Sequence, residues 1–427
     1  MMYKKTILNN KLTLVTHEMK DAYSVSIGVW FKVGSRYEND PIAGISHFLE
    51  HLIFKGSKRF DCDAIKRQIE GKGGQLNGFT SEEVTCYLSK IPHKYAFHTA
   101  EILLDMSIRP QLKPSDVLKE RTVIMEEIKM YNDLPQHKVQ ELLDRIMWSG
   151  HPLGRNIAGS LETVGNITRE DISKFQHNYY CPENMVVVFA GRIDHDDCLD
   201  FISKELDTKA KKENEYKFDR FVGKQKTSQV ETLVKDIEQT HLAIGFPAYS
   251  KVDPRRFAMT LLSVVLGGNM SSRLFNEVRE KRGLAYAISS QSKRFVDTGA
   301  MYIHAGLDNK KVDLALEVIL KELSKLKDKL VSEAELDRAK EFILGQLAMS
   351  LEDTMEHMIF LGEEVTTVDK LYDFKYLKSQ MLRVCSSNIR EVARDIFNKN
   401  KINISLVGPV KDFDKERCLK SVYNSIG

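Results

Sequence analysis

A chain that repeats itself at a fixed spacing has few folds open to it. SVSIGVWFKVG (24–34) returns as THLAIGFPAYS (240–250), which puts Ile27-Gly28 over Ile244-Gly245 at an offset of 217. MVVVFAG ends at Gly191 and its echo ISLVGPV carries Gly408, again at 217. VIMEEIKM (123–130) resembles FILGQLAM (342–349) at 219, and Tyr87 in TCYLSK lines up with Tyr302 in AMYIHAG at 215. Offsets this constant imply two copies of one domain of roughly 210 residues, a normal domain size.

Within each copy strands come first, then helices, then strands. The run Val25, Ile27, Val29, Phe31 alternates with smaller partners, as a strand does. This order predicts an α+β fold, each domain having a mostly antiparallel sheet packed by helices, over an alternating parallel one. The expected boundaries are 1–210 and 220–427. The charged, aliphatic-poor stretch DTKAKKENEYKFD (207–219) forms the join.

The chain has 63 Lys and Arg against 60 Asp and Glu, a net charge of +3. That balance gives no electrostatic reason to expect nucleic acid or an anionic membrane as partner. No apolar run approaches the ~20 residues of a membrane span. The amino terminus lacks the apolar core and cleavage site of a signal peptide, so a cytoplasmic location is expected. The six cysteines form no Cys-x-x-Cys pair and read as reduced thiols.

GISHFLEHLIFKGS (44–57) places His47, Glu50 and His51 among Ile45, Phe48, Leu49, Leu52, Ile53 and Phe54. Residues four apart share a helix face, so the two imidazoles can converge on one ion, and Glu50 shares that face. A carboxylate there can take a proton from the attacking water and pass it to a leaving amine. His-x-x-Glu-His is the inverted form of the zinc-protease motif. Two histidines leave a catalytic site one protein ligand short. The segment SDVLKERTVIMEEIKMYND (115–133) reads as a long helix holding Glu120, Glu126 and Glu127, with Glu120 and Glu127 on one face.

With Glu127 downstream, this pattern resembles the M16 family of zinc metallopeptidases, which includes pitrilysin, insulin-degrading enzyme and mitochondrial processing peptidase. GGQLNGFTSEEVTCY (73–87) resembles that family's substrate-edge strand, ERTVIMEEIKM (120–130) its distal-glutamate helix, and LLSVVLGGNMSSRLFNEVREKRGLAYAI (261–288) its second-domain signature. The resemblance spans nearly the whole chain. It implies two domains of the M16/LuxS-like metallohydrolase type. It implies one Zn2+ per chain held by His47, His51 and Glu127, with Glu50 as general base and Glu120 supporting catalysis. Glu126, about 100° around the helix, is the weaker ligand candidate.

By the same resemblance Asn77, Gly78, Phe79 and Thr80 lie on the strand that binds peptide, where Gly78 stands in place of a common Ala, a departure expected to be tolerated. Arg279 and Tyr286 in REKRGLAY match an Arg/Tyr pair that polarises the scissile carbonyl. Gln346 stands where Glu127 stands in the first copy, so the second copy is not expected to hold zinc. The implied protein is a half-size subunit that cleaves extended peptides inside a clamshell. The implied assembly is a homodimer in which Arg279 and Tyr286 act in trans. The alternative is a non-catalytic or partner-dependent subunit of a heteromeric processing peptidase.

Overall fold

The computed structural model describes residues 3–206, 217–223 and 225–426. Residues 207–216 of the expected join lie outside that set. The chain forms two compact units. One comprises Met1–Lys129, Arg155–Asp219 and Leu347–Asp373; the other comprises Met130–Gly154, Arg220–Gln346 and Phe374–Gly427. Each unit therefore contains one helix from the opposite half of the sequence.

The first unit is built on a six-stranded sheet. Its strands are β1 (Tyr3–Ile7), β2 (Thr13–Glu18), β3 (Ser24–Phe31), β4 (Gln75–Thr80), β5 (Thr85–Pro92) and β6 (Met185–Gly191). They lie in the order β1-β2-β6-β3-β5-β4. Only β2 and β6 run parallel. Val25, Ile27, Val29 and Phe31 of β3 point into a core shared with Phe48, Leu49 and Leu52 of the helix Ile45–Ile53. The opposite face carries Trp30, Cys86, Leu88 and Val188. It is covered by Met358, Leu361 and Val365 of the exchanged helix Thr354–Val368. Ser26 and Thr354 hydroxyls meet at 2.8 Å across this seam.

The second unit has five strands: β7 (Gln229–Val234), β8 (Gln239–Ala248), β9 (Ala285–Arg294), β10 (Gly299–Asp308) and β11 (Asn403–Gly408). Their order is β7-β11-β8-β10-β9. Only β7 and β11 are parallel. One face packs Leu242, Ile244, Phe246, Met301 and Ile303 against the helices Arg256–Ser263, Val312–Asp328 and Ser386–Ile396. The other packs Ala243, Tyr302 and Val407 against Val139, Leu143 and Met147 of the exchanged helix Pro135–Met147.

The exchange explains the repeated glycines. A Cβ on Gly28 would sit 2.3 Å from the sulfur of Met358, and one on Gly245 would sit 2.4 Å from that of Met147. Each glycine is the notch that admits an exchanged helix to its sheet. The Tyr87–Tyr302 match is one residue out of phase. Tyr87 faces the side of its sheet that packs the helix Ile45–Ile53, whereas Tyr302 faces the exchanged helix. In a strand, a slip of one residue turns a side chain to the other face.

Candidate metal centre

The helix Ile45–Ile53 buries Ile45, Phe48, Leu49, Leu52 and Ile53, which leaves His47, Glu50 and His51 on the side away from the core. The long helix Pro114–Asp133 buries Val117, Glu120, Ile124 and Ile128. Its Glu127 carboxylate comes within 3.8 Å of His47 Nε2 and 3.4 Å of His51 Nε2. One ligand atom from each of His47, His51 and Glu127 lies within 4.8 Å of the others, the only such cluster among the described residues. Glu126 points elsewhere and pairs with Lys129 at 2.7 Å.

These three residues fit a zinc ion. Metal–ligand arms of ~2.0–2.1 Å in a tetrahedron put ligand atoms roughly 3.3–3.4 Å apart, close to the separations here. The protonation states suit it too. Burial, with the neighbouring His51, pushes His47 down to about 4, so its lone pair is free. The hydrogen bond from His51 lowers Glu127 against the opposing effect of burial and keeps it ionised. Burial works against a charge on His51, but its bonds to Glu127 and Glu120 raise its pKa overall. A bound cation would replace that proton.

Glu120 does not join the ligand atoms. Its Oε2 lies 3.2 Å from His51 Nδ1, and its Oε1 takes an ion pair from Lys55 at 2.8 Å. It thus fixes the ring orientation and leaves Nε2 for the metal side. Glu50 accepts a 2.6 Å hydrogen bond from the hydroxyl of Thr80. Burial raises the Glu50 carboxyl, with Thr80 and His51 opposing.

Thr80 ends β4, the edge strand of its sheet. It was read from the sequence as a peptide-contacting residue, and here its hydroxyl is committed to Glu50. Asn77 turns its side-chain oxygen onto its neighbour's amide, accepting from Gly78 N at 2.8 Å. A methyl on Gly78 would lie 3.0 Å from Phe54 Cζ, so alanine fits if that ring yields a few tenths of an ångström. Phe79 stacks edge-on against Trp30 with ring centroids 5.4 Å apart.

Sequence reading missed Lys55, Thr80's tie to the base, and Glu38. Glu38 is buried and accepts from the amides of Gly44 and Ser46, both at 2.8 Å. Arg279 and Tyr286 lie in the second unit, with the Arg279 guanidinium 5.5 Å from the Tyr286 ring centroid and 4.7 Å from that of Phe275. Tyr286 is 75% exposed.

The first unit of this two-unit α+β frame thus sets a His-x-x-Glu-His helix against a distal glutamate. Comparison with known proteins gives the family. The pattern described as "Insulinase (Peptidase family M16)" matches residues 13–161, and "Peptidase M16 inactive domain" matches 166–343. The chain is 33% identical over 417 residues to "Uncharacterized zinc protease YmxG" of Bacillus subtilis, covering 96% of this chain and 98% of that one. It is 30% identical to an "Uncharacterized zinc protease" of Rickettsia bellii, covering 94% and 96%. A protease from Helicobacter pylori superposes with a TM-score of 0.91 at 24% identity, covering 96% of this chain and 99% of that one. The chain belongs to the M16 peptidase family. No helix among its described residues is long and apolar enough to cross a membrane.

Proposed function

We propose that the chain is a zinc-dependent endopeptidase acting on extended peptides. The observation that carries this reading is the convergence of His47, His51 and Glu127 beside Glu50, next to an edge strand. A zinc ion held by those three residues supplies Lewis acidity toward the scissile carbonyl and the attacking water. Glu50 takes the water's proton and later delivers it to the leaving amine. Thr80 pins one oxygen of Glu50, and the other is left for the proton. Glu120 holds the His51 ring.

The outer edge of β4 offers unpaired backbone groups that an extended peptide completes as a further strand. Asn77 must release the Gly78 amide for this to happen. Arg279 and Tyr286 act on the carbonyl from a second copy of the chain in a homodimer. What supports this is that Tyr286 is exposed with the half-buried Arg279 beside it, and that no ligand cluster accompanies them among the described residues of their own unit.

The test is mass-spectrometric mapping of products from a peptide library, with Glu50→Gln as control, on chain shown by light scattering to be free of partners. Cleavage by wild type alone supports the reading. A pure chain that binds zinc but cleaves nothing until a different subunit is added would favour a partner-dependent role.

A further inference from the structure

The helix bearing His47, Glu50 and His51 starts at Gly44 without a side-chain cap from that residue. Gly44 has φ +97°, and a Cβ there would lie 2.5 Å from the carbonyl oxygen of Ala158, so the helix entrance is closely confined. Its first amides are met from six residues upstream. Glu38 Oε2 accepts from Gly44 N and Oε1 from Ser46 N. The next residue is His47.

The chain that carries Glu38 is itself held. Arg155 donates to the Glu38 carbonyl at 2.6 Å and to Asp40 at 2.6 Å. Just before it, the amides of Ser35 and Arg36 bond the carbonyls of Ser81 and Glu82 at 3.1 and 2.9 Å. The Arg36 guanidinium pairs with Glu83 at 2.7 Å, both side chains buried. Ser81 follows Thr80, whose hydroxyl holds Glu50. One short segment thus grips the start of the metal helix at Glu38 and the end of the edge strand at Ser35–Arg36.

We propose that Glu38 is a positioning residue for the metal centre: its two-pronged grip on the Gly44 and Ser46 amides sets His47, Glu50 and His51 against Glu127 and β4. The proposal rests on the metallopeptidase reading. A plain cap needs only one oxygen and is served elsewhere by exposed groups, such as Asp61 accepting from Ala64 N. A buried carboxylate is a costly way to cap, as its pKa pushed up by burial to about 7 attests. Two rigid contacts within the first turn of the helix justify it where a ligand's place matters.

The test is Glu38→Gln, which keeps the shape but turns an NH2 toward one of two N–H donors. Zinc affinity is read by chelator competition on the folded protein, kinetics on a quenched peptide, and folding by circular dichroism and Tm. The expected result is a zinc affinity lower by about 10-fold, the lower end for residues that support a ligand, with kcat reduced and KM within about 2-fold. Asp61→Ala, which removes the bond to Ala64 N, is the capping control and should change Tm alone. If Glu38→Gln does not fold, Glu38→Asp, whose shorter arm cannot reach both amides, takes its place and should give the same split. Wild-type zinc affinity and kcat in the folded variant, whatever its Tm, would overturn the positioning role. A wild type that neither binds zinc nor cleaves would instead sink the peptidase reading, and this inference with it.

Discussion

The two units place the same elements around an edge strand, and among the described residues only the first brings a cluster of metal-ligand side chains together. In the first, the helix Ile45–Ile53 follows the central strand β3 and precedes the edge strand β4. In the second, the helix Arg256–Ser263 follows β8 and precedes the edge strand β9. The link between helix and edge strand is Thr80 to Glu50 in one. In the other it is Ser290, whose hydroxyl donates to the Ser263 carbonyl at 2.7 Å and meets the Ser263 hydroxyl at 3.2 Å. The long helices agree too. Glu127 and Gln346 sit at the same depth in Pro114–Asp133 and Glu333–Ser350. The frame is therefore not what makes a metal site. What differs is the set of polar side chains that this shared scaffold carries: His47, Glu50, His51 and Glu127 in the first unit, with Gln346 at the position of Glu127 in the second.

The largest expected effect is on the base. Glu50→Gln should keep its zinc and lose at least ~10²-fold in turnover, the scale of losing a general base. Near-wild-type turnover would remove Glu50 from the chemistry. Glu127→Gln should come next, with zinc content falling because a ligand charge is gone. Elemental analysis showing full occupancy would move the ligand, with Glu120, whose carboxylate already lies 3.2 Å from His51 Nδ1, the first place to look. Glu120→Gln should be milder, about 10- to 100-fold in zinc affinity, since it acts through His51. An affinity unchanged by chelator competition would leave Glu120 with a packing role only.

Acid should sharpen the contrast further, because each unit holds one of the two tryptophans, Trp30 and Trp148. In the same unit as Trp30, His17 stacks on His357 of the exchanged helix with centroids 4.2 Å apart. Burial and the His357 ring push His17 down to about 4. The unfolded chain takes up that proton below about 6.5, the folded one only near 4. The stability this neutral ring allows is therefore present above the unfolded value and is lost as pH falls from about 6.5 to about 4. In Trp148→Phe protein, Trp30 fluorescence should report a lower Tm across that window, and His17→Phe should flatten the slope. An unchanged slope would assign the acid sensitivity elsewhere.

The smallest effect belongs to the second unit. Ser290→Ala should cost about 1 kcal/mol of stability, the worth of one hydrogen bond, and leave peptide turnover alone. A large fall in turnover would mean that the second unit's helix–strand link contributes to catalysis.

The site was legible where it is local. His47, Glu50 and His51 lie within one and a bit turns, so helical spacing alone puts them on one face. Glu127 needed the family resemblance, because nothing in spacing brings one helix to another. Thr80's bond to Glu50 and the Glu38 grip on Gly44 and Ser46 were not read. A hydroxyl in a strand and a carboxylate before a glycine have many possible partners, and strand-to-helix packing selects among them. The Tyr87–Tyr302 match failed for the opposite reason: it trusted identity where parity within the strand decides the face.

What the sequence determined by itself is the pair of domains, the strands and helices in each, and the polar face of one helix. All follow from periodicity and repetition along the chain. The tertiary structure alone decided which sheet each apolar helix covers. Val139, Leu142, Leu143 and Met147 form a stripe that must be buried, as do Met358, Leu361 and Val365. A stripe says that a helix needs a partner face and not which one. The notches at Gly28 and Gly245 fix where each helix seats on its sheet, since a Cβ there would lie 2.3 and 2.4 Å from a methionine sulfur.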